Sequence, residues 1–474
     1  MVRRIAGTGG VLMLLAACGA TASLAPAPTG SASPELQATA SPSPHTGAPT
    51  PSTASESLPP AGATPGPTAL TPSSPDCAPT TRSVSGGESP APGMTFATTD
   101  DSGVLSWARA AGPGPLEAYE IRAAAEYRGT FVVVGTRLVD LGPQLGAVLQ
   151  PGIWTSDDGF AWALATFDGR DLCWNVRVLD VTVGPDGFIA VGDWFGTAAV
   201  WLSADGRRWN RIQDAGFTPG RMRHVGVTGQ GIVAFGDVQS VEGQESRSLI
   251  WTSVDGVEWL RATNETGLAV AAGVDVLVES GSELWAFHRG FSFDGSPAPA
   301  EVWRTGGRAE WVKLAELPAS SGLWIDAAAR GASGWVVTGG GRAWTSRDGF
   351  AWELAPTGPQ LLYTLLAHDA GFVGVSVDWP DAGCSFPDDA FIGQTWVSPD
   401  GRTWRPMTAE IFTRGQAIHA LLERDRALIG VGVTYEFSFG PTGAIWAAPL
   451  PTTFAAASPA PSPTPAATNA GCGG

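Results

Sequence analysis

The chain has 474 residues with 62 Gly, 38 Pro and 20 Trp, and a formal net charge of −17. A chain this acidic repels phosphate backbones, so nucleic acid is excluded as the expected partner. Five cysteines contain no CxxC pair and five histidines show no metal-ligand spacing, so no metal site and no cofactor are expected.

Residues 1–18, MVRRIAGTGGVLMLLAAC, set Arg3 and Arg4 ahead of an apolar run and small residues before Cys18. That is the layout of a secretory signal peptide, too short to be a spanning helix. Leu15-Ala16-Ala17-Cys18, with Gly19 after it, resembles the bacterial lipobox. The resemblance implies lipidation at Cys18 and an extracytoplasmic chain anchored to the cell membrane of a bacterium. The alternative is an ordinary signal peptide with a chance cysteine. VRRIAG lacks the rest of a twin-arginine signal, so general secretion is the expected route.

Residues 19–95 are rich in Ala, Pro, Ser, Thr and Gly and poor in large apolar groups. Such a segment cannot bury enough surface to offset chain ordering, and it reads as a disordered tether. The closing stretch 451–474 has the same character, which leaves 96–450 as the folded region. Cys77, Cys173, Cys384 and Cys472 would lie where disulfides persist, and four cysteines allow three pairings.

Within 96–450 one phrase recurs: IWTSDDGFAW from Ile153, VWLSADGRRW from Val200, IWTSVDGVEW from Ile250 and VWRTGGRAEW from Val302. AWTSRDGFAW from Ala343, TWVSPDGRTW from Thr395 and a truncated IWAAP from Ile445 complete the series. The leading tryptophans are Trp154, Trp201, Trp251, Trp303, Trp344, Trp396 and Trp446, spaced by 41 to 52 residues. Upstream of each lies a short apolar run, TFVVVG, GFIAVG, GIVAFG, ELWAFH, GWVVTG, GFVGVS and ALIGVG, of the kind that forms buried strands. A looser apolar stretch precedes each run, and Asp-Gly follows the leading Trp in five of the seven copies as a type I′ hairpin signal. Four strands at this period, seven times over, predict an all-β seven-bladed β-propeller of four-stranded blades. The last unit lacks its fourth strand, and TDDSGVLSW at 99–107 repeats the pattern at the other end. The N-terminal strand is therefore expected to complete the last blade, with Trp107 as its second tryptophan and no sheet edge left open.

The phrase resembles the Asp-box (BNR-like) repeat, Ser-x-Asp-x-Gly-x-x-Trp, of sialidases and related propellers. Matching residues are Ser156, Asp158, Gly159, Trp162; Ser203, Asp205, Gly206, Trp209; and Ser253, Asp255, Gly256, Trp259. Ser346, Asp348, Gly349, Trp352 and Ser398, Asp400, Gly401, Trp404 follow. Each copy is one residue shorter between Asp and Gly than the family form, and the copy from Val302 has no Asp. The resemblance implies a structural part for these residues, on the face away from any active site. The carboxylate would accept bonds from nearby backbone N–H groups while the indole is buried.

Function is expected on the opposite face, in the connections between second and third strands, where propellers present variable loops. These are 136–150, 237–248, 288–300, 376–392 and 434–443. Asp378, Trp379, Asp381, Phe386, Asp388 and Asp389 make the loop at 376–392 the richest in acids and aromatics, suited to a sugar or a cation. Cys173 and Cys384 would both emerge on this face and are a candidate disulfide. A sialidase-like glycoside hydrolase, as the resemblance implies, needs three arginines, a tyrosine paired with a glutamate, and an acid/base aspartate. Tyr435 and Glu436 are the nearest candidates, and Tyr119-Glu120-Ile121-Arg122 lacks the order and the proline of the family's arginine phrase. The expected function is thus a non-catalytic, surface-anchored, monomeric binding or scaffold propeller, with a cell-wall glycan or an envelope or extracellular protein as ligand. The hydrolase is the alternative.

Overall fold

A computed structural model describes residues 107–454, apart from 110–115, 117, 141–146, 168–174, 215, 218, 239–246, 263–272, 291–295, 309, 357–361, 379–391, 408–415, 425–426, 437–439 and 451–453. The strands come in groups of four. Blade 1 is Glu120–Tyr127, Thr130–Asp140, Ala147–Ser156 and Ala163–Leu164; blade 2 is Val176–Gly184, Gly187–Trp194, Thr197–Ser203 and Arg208–Ile212. Blade 3 is Arg221–Thr228, Gly231–Val238, Arg247–Ser253 and Trp259–Arg261; blade 4 is Val276–Ser280, Glu283–His288, Glu301–Thr305 and Val312–Glu316. Blade 5 is Ala327–Gly331, Gly334–Gly339, Arg342–Ser346 and Glu353–Leu354; blade 6 is Leu362–His368, Gly371–Asp378, Ile392–Ser398 and Arg405–Met407. Blade 7 is Gln416–Arg424, Ala427–Glu436 and Gly440–Pro449, with Ala108–Arg109 as its outer strand.

Neighbouring strands within each blade run antiparallel, and the first strands of successive blades lie against one another all the way round, blade 7 against blade 1 included. That closed circuit makes the chain a seven-bladed β-propeller with the first strand of every blade innermost. A short strand, Thr166–Phe167, adds in parallel to the outer strand of blade 2, and one parallel bridge, Ile392 to Gln416, joins blades 6 and 7.

Closure copies the register of the other blades. In blades 1 to 6 the leading Trp of the third strand faces the residue two positions after the second Trp: Trp154 with Leu164, Trp201 with Arg211, Trp251 with Arg261, Trp303 with Lys313, Trp344 with Leu354 and Trp396 with Pro406. In blade 7 Trp446 faces Arg109, two positions after Trp107. The paired strand is Ala108–Arg109, and the rest of the phrase at 99–106 lies outside the described residues. Phe454, past the boundary expected at 450, is buried in the same core as Trp107 and Trp446.

The Ser-x-Asp-Gly turns use their side chains as the motif chemistry requires. Ser156 Oγ accepts from Gly159 N at 2.8 Å, and Asp158 Oδ1 accepts from Phe160 N and Ala161 N at 2.8 Å each. Trp162 Nε1 donates to Gly159 O at 2.9 Å. The same set recurs at Asp205, Asp255, Asp348 and Asp400. These backbone donors hold the carboxyls of Asp158, Asp205, Asp255 and Asp348 below their usual range, outweighing burial where burial is appreciable. The expected type I′ geometry is not what forms. Within the turn only the glycine takes positive φ, 81° at Gly159, and the aspartate does not. The turn is longer than two residues, and the carboxylate closes it by bridging two amides, so the dihedral demand of a tight hairpin never arises. A Cβ on Gly159 would collide with Ile429 of blade 7, so the glycine also lets neighbouring blades approach. Blade 4, without the aspartate, has Gly307 N donating to Thr305 Oγ1 instead, and its outer strand pairs through a register shift between Val302 and Trp303.

Candidate functional site

The second-strand glycines place the functional face. Gly135, Gly192, Gly236 and Gly432 end their runs opposite a bulge in the first strand, and a Cβ there would collide with a carbonyl of that strand. The bulge puts one extra residue near the start of each inner strand: Arg122, Leu179, Arg223, Tyr363 and His419 in blades 1, 2, 3, 6 and 7. In blades 4 and 5 pairing starts just after Asp275 and Asp326, whose amides donate to Phe287 O and Thr338 O, so these aspartates hold the same position. Seven residues thus form one tier around the axis, on the face that carries the connections between blades.

The tier divides by charge. In blade 1 Arg122 pairs with Glu120 at 2.9 Å, and burial raises the Glu120 carboxyl against the pull of that arginine. In blades 2 and 3 Arg177 Nε meets Asp193 Oδ1 at 2.6 Å, while Asp237 takes both Arg221, at 2.7 Å, and Arg223, at 2.9 Å. The two guanidiniums hold Asp237 down to about 2 despite its burial. Beneath them Asp180 Oδ2 accepts from Val225 N at 2.9 Å, tying blade 2 to blade 3. Glu279 of blade 4 accepts from Thr182 of blade 2 at 2.6 Å and from Val227 N of blade 3 at 3.0 Å, so the inner strands are cross-linked below the rim.

Blades 4 and 5 have a different character. Burial pushes Asp275 up to about 7 although Arg289 Nε lies 3.2 Å from its Oδ1, and burial pushes Asp326 up to about 6. His288 stands where most second strands have glycine, and burial lowers it to about 4. The Arg289 guanidinium lies 3.8 Å from the ring centroid of Trp324, a residue that is 47% exposed. In blades 6 and 7 the Tyr363 and His419 rings are 5.9 Å apart, and burial holds His419 down to about 4.

Of the residues singled out from sequence, the turn residues occupy the opposite face as described. Tyr435 and Glu436 lie at the end of a blade 7 strand, paired with Pro441 and Gly440, and Asp378 pairs with Ile392; only the backbone of these three is described. Cys18, Cys173, Cys384, Trp379, Asp381, Phe386, Asp388 and Asp389 lie outside the described residues. Sequence reasoning missed the inner tier, although the run-ending glycines marked its level. Among the described residues no group of three or more His, Cys, Asp or Glu is arranged to hold a metal ion, and no helix is long and apolar enough to cross a membrane. An open cavity of about 570 Å³, lined by Gln230, Leu260, Glu283, Arg304 and Arg308 among others, lies on the turn side where the blade 4 turn has no aspartate.

No family model matches this sequence, and no curated protein matches it. Solved structures do. A polysaccharide lyase, Uly1, aligns at 8% identity and a TM-score of 0.41 over 73% of this chain and 92% of that one. A protein of unknown function from Dyadobacter fermentans aligns at 11% identity and a TM-score of 0.37, over 73% and 99%. A beta-fructofuranosidase of Bombyx mori aligns at 10% identity and a TM-score of 0.30 over 73% of this chain, which spans 63% of that enzyme's length. Likeness at this level says nothing about substrate.

Proposed function

We propose that this chain is a non-catalytic, surface-anchored binding propeller, a lipoprotein held by Cys18 on an extracytoplasmic membrane face. The tether at 19–95 holds the disc away from the bilayer, and the face bearing the inner tier meets a cell-wall glycan or an envelope or extracellular protein. It acts as a monomer, without nucleic acid and without a cofactor.

One observation carries the reading. Arg177, Arg221 and Arg223 are already ion-paired with Asp193 and Asp237. A guanidinium cluster that recognises a substrate carboxylate must leave its donors available, and these are committed within the protein. The arrangement orders the rim and makes a polar surface whose charges are largely paired, suited to contact without turnover.

A second reading, the glycoside hydrolase, is favoured by the raised carboxyls of Asp275 and Asp326 in adjacent blades, since general-acid chemistry needs a carboxyl that is protonated near neutral pH. The test is a panel of fluorogenic sialosides and other glycosides, run with the wild-type protein, Asp275→Asn and Tyr435→Phe. Binding to isolated cell wall or envelope protein without release of fluorophore is expected. Turnover abolished by either substitution would overturn the binding reading. Metabolic labelling with an alkyne fatty acid is expected to mark the wild type and not Cys18→Ser.

A further inference from the structure

The connection from blade 4 to blade 5 is built to hold one aromatic ring in solvent. Gly290 N donates to Leu323 O at 3.1 Å, and Gly322 N donates back to Gly290 O at 2.8 Å. Ala300 N donates to Ser320 Oγ at 2.7 Å, and that hydroxyl, fully buried, donates to Leu317 O at 2.7 Å. The backbone around residues 317–323 is thereby fastened to the blade 4 loop that the sequence marks as a candidate binding connection. At the end of this fastened stretch Trp324 leaves 47% of its surface exposed. The fourteen tryptophans of the repeat staple the blades; Trp324 belongs to none of them, and its exposure gives the fold nothing.

Arg289 lies against this ring and ion-pairs with Asp275; the Ile325 backbone also bonds that carboxyl, and its Oδ2 is buried without a hydrogen bond of good geometry among the described residues. Asp275 is itself only 8% exposed. A buried acceptor left open beside an exposed indole is costly to the fold unless a ligand donor completes it. Asp326, whose field reaches Asp275, adds a second carboxyl, with Oδ2 accepting from Gly340 N at 3.2 Å.

We infer that Trp324, Arg289, Asp275 and Asp326 form a subsite for a neutral glycan, one pyranose ring stacking on the indole while its hydroxyls bond the carboxyls and the guanidinium. An anionic sugar would meet the carboxyl of Asp326, mostly ionised at neutral pH, beside Asp275. A cationic ligand would compete with Arg289 for the indole. A neutral polyhydroxylated ring satisfies every group at once, an apolar face for the indole and donors and acceptors at its edge. Burial raises Asp275 to about 7, so near neutral pH its carboxyl is partly protonated and can donate as well as accept, while Asp326, raised to about 6, is mostly ionised there and accepts.

This inference rests on the binding reading above and names its ligand class. The test is an array of neutral oligosaccharides (gluco-, galacto-, manno- and xylo-configured) with sialylated and sulfated glycans beside them, probed with the full mature chain, followed by calorimetry on the hits. Binding to at least one neutral oligosaccharide is expected, weakened at least tenfold by Trp324→Ala and by Asp326→Asn and retained by Trp324→Phe, with unchanged melting temperatures for both Trp324 variants. A neutral glycan bound equally by wild type and Trp324→Ala would overturn the subsite and leave the binding reading intact. So would capture of an envelope protein with no neutral glycan bound, or preference for the anionic glycans. Hydrolysis of an arrayed glycan would overturn the binding reading itself.

Discussion

Trp107 Nε1 donates to Thr395 Oγ1 at 3.2 Å, a buried bond between residues 288 positions apart. Thr395 belongs to the third strand of blade 6, whereas Trp107 leads directly into the outer strand of blade 7. The first described residue of the chain therefore seals two blades at once. Trp107→Ala removes a ring that is 6% exposed and is expected to cost about 3–5 kcal/mol. Trp107→Phe keeps most of the packing and loses the N–H, for about 1–2 kcal/mol. Urea denaturation reads both values. Hydrogen exchange should quicken first at the amides of Gly440–Pro449, because that strand loses its outer partner.

The turns separate two roles that lie next to each other in sequence. Asp158→Ala removes one oxygen shared by two backbone amides, the equivalent of a lost cap, and should cost about 1 kcal/mol. Gly159→Ala should cost more, about 2–4 kcal/mol, because the residue is held at φ 81° and its new methyl would meet Ile429 of the next blade. Thermal unfolding of the two variants side by side checks the order. Equal costs would mean that the blades part locally at little expense.

The repeat was legible because each blade must solve the same burial problem, so Trp154 and Trp446 stand in the same register although Leu164 follows its Trp closely in the chain and Arg109 comes from the opposite end of the propeller to Trp446. The shape of the turn was not legible: Asp-Gly reads as a tight hairpin until the carboxylate is seen bridging two amides, a side-chain bond that backbone preference does not report. The inner tier escaped for a related reason. A bulge is a mismatch in count between two strands, visible only once Arg122 is seen to have no opposite number between the Ile121–Gly135 and Ala123–Val134 pairs. Arg289, Asp275 and Trp324 come from three separate segments with no common period, so only folding brings them together.

The buried aspartate Asp275 gives the fold a pH signature. Its carboxyl is raised in the folded chain to about 7 by burial, so the native state keeps a proton that the unfolded chain releases from about pH 4 upward. Its contribution to stability is present below pH 4, falls as pH rises toward 7 by up to about 1.4 kcal/mol per unit, and is flat beyond. His288 and His419, lowered to about 4 by burial, act in the opposite direction, since the unfolded chain binds their protons first as pH falls below about 6.5. The wild-type profile mixes the two. The difference between wild type and Asp275→Asn isolates the aspartate, and the variant should gain on the wild type between pH 4 and 7. A difference that does not change with pH would show that Asp275 is ionised in the folded protein.

Asp237 has the reverse sign. Two guanidiniums hold its carboxyl at about 2 in the folded chain, so its contribution is complete above about pH 4 and is lost as pH falls toward 2. Asp237→Ala leaves Arg221, only 18% exposed, without its ion-pair partner among the described residues, and should cost about 2–4 kcal/mol at pH 7. Arg223→Ala, whose side chain is 42% exposed, should cost under about 1 kcal/mol, because Arg221 still holds the carboxylate. The double variant Arg221→Ala, Asp237→Ala should recover part of the loss, since no charge is then left buried alone, and a double-mutant cycle in urea at pH 7 measures the coupling. The same series decides what the arginines are for. If the rim pairs only order the binding face, Arg223→Ala keeps full affinity for the glycan that the wild type binds, and if a guanidinium there recognises a ligand, affinity falls while stability does not.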